Sequence, residues 1–451
     1  MTVLYSACFL RRCLSYFLYR FYNKCWGQEN LAPKILQKRV EHIEKSVIIK
    51  VPLPNEKGRC YMLTYDFTTV ILDLKDVTIR KVEKIENELH IHLELPRKKH
   101  KCPKCGEWTD SIHDYRIQKI KDIPLGKTTY LFLRKRRYVC RNCGKRFIEN
   151  NSFLPRYYRI TNRAVSAIIN AFHRLQPATE IAQEFNISAA TARRYFDYVQ
   201  YSCRKLPEVL SIDEFKGNTD KEKFQTILTD PEHKKVIDIR PNRFENQLIK
   251  YFKTFPNREN VKYFITDMNP HFKAVGKACF HNATIVADHY HVIRQAVWAM
   301  ENVRKREQKR LSSKFSTYFK KSRYLLNKPM HKMTNEEKHS LSLMLEISPD
   351  LAQAYRLKNE FLQIMYCGSS NKGRALLSDW ILSAENSGLK EFQSCTTAYH
   401  NWAQEILNSL DVPWSNGFTE GCNNKIKILK RVCFGFHKFS RFLNRILHVF
   451  S

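Results

Sequence analysis

The chain has 451 residues, 43% of them hydrophobic and 12% aromatic, with 77 Lys and Arg against 44 Asp and Glu. That apolar content supports about three packed domains and excludes a chain that stays unfolded. A net charge of +33 predicts a polyanion as partner, with nucleic acid ahead of an anionic membrane surface.

The charge is uneven. Residues 96–163 hold 19 basic and 5 acidic side chains, and residues 304–332 hold 11 basic ones against Glu307 alone. Tyr and Phe are interleaved in both stretches, which favours folded, phosphate-facing surfaces over solvated tails. Fourteen cysteines in a long chain without a clean secretion signal read as thiols in a reducing cytoplasm. The opening "MTVLYSACFLRRCLSYFLYRFYNKCW" is apolar, but Arg11, Arg12, Arg20 and Lys24 interrupt it, short of the ~20 residues a membrane span needs.

In chain order, residues 1–61 form an extension of unknown role, which translation from Met62 would omit. Residues 62–155 read as a β-rich domain. Within it "VTIRKVEKIENELHIHLEL" alternates apolar and polar residues about Glu86-Asn87, predicting a hairpin. "CPKC" (Cys102, Cys105) and "CRNC" (Cys140, Cys143) follow, 34 residues apart, each with a glycine next to it. Four thiolates in two such pairs predict one tetrahedral structural Zn²⁺ in a zinc ribbon.

Residues 156–205 contain "ATEIAQEFNISAATARRYFDYV", two short helices about a turn. Ile181, Ala182 and Phe185 face inward, Asn186 takes the left-handed conformation, Ile187 fills the corner and Ser188 caps the second helix. This is a helix-turn-helix pattern. Its second helix would offer Ser188, Ala189, Ala190, Arg193 and Arg194 to a DNA major groove.

From residue 206 the chain reads as α/β. Strands are expected at "EVLSIDEF", "KFQTILTD", "KKVIDIRP", "VKYFITD" and "ATIVAD", with helices between the later ones. Three strands and then alternating helices and strands is the order of an RNase H-like sheet. Side chains at strand carboxyl ends line the ligand crevice of such sheets, and Asp213 and Asp267 fall there. Glu214 points to the opposite face from Asp213. A third carboxylate, Glu420, comes from "SNGFTEGCNNKIKILKR". Three such acids can hold two Mg²⁺ (or Mn²⁺) ions for phosphodiester chemistry. Lys425, Lys427, Lys430 and Arg431 would hold a DNA backbone against them, with Glu420, Asn424, Lys427 and Arg431 on one helix face.

The runs "LPEVLSIDEFKGN", "YFITDMNPHFKAV", "ATIVADHYHVIRQ", "ENVRKREQKRL" and "SNGFTEGCNNKIKILKR" closely resemble the ISL-three family of bacterial insertion-sequence transposases, from about residue 66 to the C-terminus. The resemblance implies a DDE catalytic triad of Asp213, Asp267 and Glu420. The last two are 153 positions apart, so the RNase H-like core (206–299 and 401–451) is expected to be interrupted by an all-α insertion (300–400). It also implies recognition of terminal inverted repeats in double-stranded DNA, cleavage and strand transfer, at least a dimer on DNA, and a bacterial, nucleoid-associated location. Asp288 and His291 match an acid–histidine pair of related families, structural or close to DNA, and Asp288 is the reserve second ligand. The rival reading is a non-catalytic zinc-ribbon and helix-turn-helix regulator, which has no need of converging carboxylates. A nuclease without strand transfer would share the site.

Overall fold

The computed structural model describes Leu72, Leu74 and residues 76–451 apart from Arg156. The extension 1–61 and the expected start at Met62 lie outside the described residues. Strands β1 (Thr78–Ile85) and β2 (Glu88–Glu94) form the expected hairpin, with Glu86 turning the chain at φ +49°. Two-residue strands β3 (His100–Lys101) and β4 (Trp108–Thr109) pair antiparallel around the first cysteine pair. Then come β5 (Ile112–Lys121), β6 (Thr128–Val139) and β7 (Arg146–Ile148), giving the order β1-β2-β6-β5 with β7 on β6.

The chain divides into two compact units. One gathers the described residues up to Glu83 with Ile91–Gln118 and Phe132–Ser152; the other gathers Lys84–His90, Lys119–Leu131 and Phe153–Ser451. In the first, Glu94 is buried and paired with Arg80, Arg134 and Arg136. Arg136, itself buried, also meets Glu149 and donates to the Leu95 carbonyl.

The second unit opens with three short helices, α1 (Asn162–Ala171), α2 (Ala178–Glu184) and α3 (Ala189–Phe196). They bury Ile168, Phe172, Ile181, Phe185, Ala192 and Phe196 together. Asn186 sits at φ +50° between α2 and α3, where few residues other than glycine and asparagine are at ease. The Ser188 hydroxyl accepts from the Thr191 N–H at 3.1 Å and so caps α3.

A second sheet follows, built from β8 (Val209–Thr219), β9 (Glu222–Asp230), β10 (Lys235–Arg240), β11 (Tyr263–Thr266) and β12 (Thr284–Ala287). Its order is β10-β9-β8-β11-β12, with β10·β9·β8 antiparallel and β8·β11·β12 parallel. One expectation needs correcting. β8 does not end beside its acids but runs on to Thr219, because β9 pairs with it from Ser211 to Thr219. Asp213 is therefore mid-strand.

Helices α4 (Glu245–Phe252) and α5 (Pro270–Cys279) cover one face of this sheet through Leu210, Ile212, Leu228 and Phe264. Between β12 and the last part of the chain lie six helices: α6 (His289–Arg310), α7 (Ser313–Lys321), α8 (Asn335–Ile347), α9 (Pro349–Met365), α10 (Ser370–Glu385) and α11 (Gln393–Asn408). They share one core, from Ala287 and Val292 to Ile406 and Leu410. Finally α12 (Gly417–Val432) and α13 (Phe439–Phe450) cover the other sheet face through Phe215, Ile227, Cys422, Ile426 and Phe442. Arg445 of α13 donates to the Arg174 and Gln176 carbonyls, and His448 lies 2.9 Å from the Ile169 carbonyl. These bonds fasten the three-helix cluster to the sheet's covering helices. Among the described residues, no helix is long and apolar enough to cross a membrane.

Candidate active site and zinc centre

Strand alternation decides which acids face α12. On β8, Leu210 and Ile212 enter the core under α4 and α5, while Ser211, Asp213 and Phe215 face α12. Glu214 turns away and pairs with Arg243 at 2.7 Å. The parallel register sets Thr266 of β11 beside Ile212 of β8 and beside Ala287 of β12. One residue further on, Asp213, Asp267 and Asp288 therefore stand level on three adjacent strands.

Asp288 is fully engaged in holding the fold. One of its oxygens accepts from the Asn416 N–H at 2.8 Å, just before α12. The other accepts from the His291 N–H at 3.2 Å and meets His291 Nδ1 at 2.6 Å, capping α6. Although burial works against the charge, these bonds hold the Asp288 carboxyl below its ordinary value, and Asp288 raises His291, so each partner favours the other's charged form. Replacing Asp288 by alanine should lower stability by about 3–4 kcal/mol, since it uncaps α6 and strands a half-buried His291 and a buried N–H. Urea unfolding reads this, and a loss under about 1 kcal/mol would show that the brace carries little.

Below it runs a buried polar seam. The Ser211 hydroxyl donates to Asn416 Oδ1 and meets the Thr419 hydroxyl at 2.9 Å, and Thr419 meets Thr229 at 2.7 Å. All four residues are fully buried. Further along α12, Asn423 donates to Asp213 Oδ2 at 2.8 Å, while the Glu214 N–H holds Oδ1 at 2.7 Å. Glu420, half-buried in the first turn of α12, is three residues before Asn423 and shares its face. A helix N-terminus favours a carboxylate there.

Burial pushes the Asp213 carboxyl up to about 7, with Asp267 and Asp288 adding to the rise against the Glu214 N–H and His291. Burial raises Asp267 as well, opposed chiefly by His291. Two acids whose ionisation burial disfavours are what a divalent cation would ionise. The donors are hard oxygens, and Asn423 Oδ1 beside them is buried with no hydrogen-bond partner among the described residues. The set fits Mg²⁺ or Mn²⁺. Among the described residues, the side-chain groups whose ligand atoms all lie within 4.8 Å of one another are the four cysteines and Asp230 with Glu232 and His233. The three carboxylates are spread wider than that, as a pair of ions permits and a single-ion cage does not.

A pH test follows. Without the ion, a carboxyl raised from 3.8 to about 7 adds stability fully below its unfolded value and loses it as pH rises through about 7. Mg²⁺ needs the ionised form. It should therefore raise the melting temperature by several degrees at pH 8 and by little at pH 5.5. Equal shifts at the two pH values would speak against these ligands.

The cations of α12 divide. Lys425 Nζ reaches the Val449 carbonyl and the Phe450 ring, and Lys430 Nζ donates to the Lys216 and Gly217 carbonyls. Asn424, Lys427 and Arg431 stay exposed. On α3, Ser188, Ala190, Arg193 and Arg194 are exposed, while Ala189 turns partly inward onto the helix cluster.

In the other unit, the two cysteine pairs form matching turns. The Gly106 N–H reaches the Cys102 carbonyl and the Gly144 N–H the Cys140 carbonyl, at 3.0 and 2.9 Å, with both glycines at positive φ. Cys102 Sγ lies 3.5 Å from Cys143 Sγ, and Cys105 Sγ lies 3.5 Å from Cys140 Sγ, a spacing that suits four sulfurs about one Zn²⁺. Desolvation of the Cys102 thiol is outweighed by the Cys105 and Lys104 N–H groups and the facing thiols, which bring it down to about 6. Against the Glu107 N–H, desolvation and the three facing thiols push Cys105 up to about 12, so the four sulfurs ionise together only with a cation among them.

Sequence reasoning missed Ser211, Thr229, Asn416, Thr419 and Asn423. Their signal was present: Ser211 is a polar residue on the same strand face as Asp213, and "SNGFTEGCNN" is dense in short polar side chains.

Residues 210–446 match a family model described as transposase, and residues 98–143 match one described as the zinc-finger of transposase IS204/IS1001/IS1096/IS1165. The transposase for insertion sequence element IS1001 of Bordetella parapertussis is 24% identical over 387 residues, 80% of this chain and 91% of that one. The transposase for insertion sequence element IS1557 of Mycobacterium tuberculosis is 30% identical over 117 residues, 26% of each chain. These matches place the chain in a class, the transposases, whose members are enzymes acting on DNA. The chain belongs to the ISL-three family of DDE transposases, whose model spans more than half of it.

Proposed function

We propose that the protein binds the terminal inverted repeats of an insertion sequence and catalyses metal-dependent strand cleavage and strand transfer. Asp213, Asp267 and Glu420 are the catalytic acids, on an RNase H-like core interrupted by the helices of the 300–400 region. The observation that carries this reading is the level placement of Asp213 and Asp267, with Asn423 of the Glu420 helix bonded to Asp213 at 2.8 Å.

Two divalent ions held there would activate the attacking oxygen and stabilise the leaving one. The residues do the rest. Asn423 and the Glu214 N–H fix both Asp213 oxygens, and Asp288 with the Ser211–Thr419 seam fixes the start of the Glu420 helix. In the first step water bonds to the phosphorus at the element's end and the bond to the 3′ oxygen breaks. In the second, that 3′-hydroxyl attacks a target phosphorus and displaces another 3′ oxygen, so no protein–DNA covalent bond forms. The zinc ribbon and α1–α3, read as a helix-turn-helix, hold the ends through Ser188, Ala189, Ala190, Arg193 and Arg194. Lys427 and Arg431, supported by Lys425 and Lys430, face the backbone near Glu420. Pairing two ends calls for at least a dimer on cytoplasmic, nucleoid DNA.

The test is cleavage and joining of a labelled fragment carrying the element's own end, with Mg²⁺ and with EDTA. Joined products that need Mg²⁺ are expected. Tight, end-specific binding without cleavage would favour the non-catalytic regulator.

A further inference from the structure

The exposed face of α6 has no part in the chemistry above. One side of the helix is buried through Val292, Ala296, Ala299, Met300 and Val303. On the other, Tyr290 is 52% and Trp298 50% exposed, about two turns apart. The Arg294 guanidinium lies between them, 4.3 Å from the Trp298 ring centre and 5.7 Å from that of Tyr290. At helical spacing the stripe continues through Asn302, Lys305 and Lys309, all exposed. It is about 28 Å long. It begins two residues after Asp288, which stands level with Asp267 at the strand ends.

A single exposed aromatic on a protein surface needs no explanation. Two flat rings in register about an arginine, continued by lysines and starting at the catalytic acids, do need one. Resting on the transposase reading, we propose that this face is a track for one unpaired DNA strand beside the cleavage site. Bases stack on Tyr290 and Trp298, and Lys305 and Lys309 meet the phosphates. Paired bases keep their faces covered by their neighbours, so stacking here requires the strand to be opened. The lysine continuation favours DNA over a second protein, for which an aromatic patch alone would suffice.

The test uses the full-length protein and fluorescein-labelled dT20, followed by anisotropy at graded salt. Trp298→Ala should weaken binding about tenfold or more, and Trp298→Phe should come within about threefold of the natural protein. Replacing Lys305 and Lys309 together by alanine should flatten the salt slope by about 1.4. Affinity for a duplex of the same length should change less than about twofold in the Trp298 variants. Unaltered dT20 affinity in Trp298→Ala, with an unaltered melting temperature, overturns the track. Self-association without DNA that Trp298→Ala abolishes also overturns it, assigning the face to a second copy. Strand cleavage is scored separately: a chain that binds dT20 through Trp298 yet cleaves nothing keeps the track and loses the transposase reading.

Discussion

Glu420→Ala should abolish cleavage and joining by at least about 10³-fold while affinity for the element's end changes less than about threefold. Asp213 cannot make good the loss, since it is already one of the three proposed ligands and Asn423 and the Glu214 N–H hold its carboxylate in place. Asp288 cannot either, being committed to Asn416 and His291. Glu420 adds nothing to the hydrophobic core of α12, which rests on Cys422, Ile426 and Leu429, so the melting temperature without metal should hold. Glu420→Gln keeps the side chain's size and loses its charge; it should be as inactive as alanine. Full cleavage by either variant would move the third ligand to another residue.

Removing zinc should have the larger structural effect. A structural Zn²⁺ site contributes roughly 10–16 kcal/mol of apparent binding energy at neutral pH. The strands flanking the first cysteine pair are only two residues long, far too short to hold these turns alone. One zinc per chain is expected by elemental analysis. Cys102→Ser and Cys140→Ser should each lose it, expose residues 98–143 to protease and impair end binding. The unit containing Phe153–Ser451 should keep its melting transition. A zinc-free preparation whose 98–143 segment resists protease would refute the assignment.

Much of this was legible in the residues. Period-two alternation gave the hairpin about Glu86, and the paired CxxCG gave the knuckles. Asn186 followed by Ser188 gave the turn and cap between α2 and α3, since few side chains tolerate φ +50° and few cap so well. Neighbours on a strand oppose each other, so only one of Asp213 and Glu214 is expected to face the metals, and the family resemblance chose Asp213; which of the two faces α12 depended on register. The end of β8 was misjudged because its pairing with β9 is a tertiary matter that no local pattern encodes. The Ser211–Asn416–Thr419–Thr229 seam escaped for the same reason: each hydroxyl or amide is unremarkable until the partner some 200 positions away arrives. The lysines of α12 looked equivalent, yet Lys425 and Lys430 find carbonyl partners on neighbouring elements.

Asp288 binds the start of α6 with one oxygen and, 128 positions later, the start of α12 with the other. The helical excursion therefore leaves and returns at a single carboxylate, and it has a core of its own. Its length is uncoupled from the spacing of the proposed catalytic acids, because closing a longer loop between fixed ends adds little entropy cost. Through descent, helices could be gained, lost or exchanged within the excursion while Asp267 and Glu420 kept their geometry. A gap in sequence between two catalytic residues would then record the history of a graft and say nothing of distance.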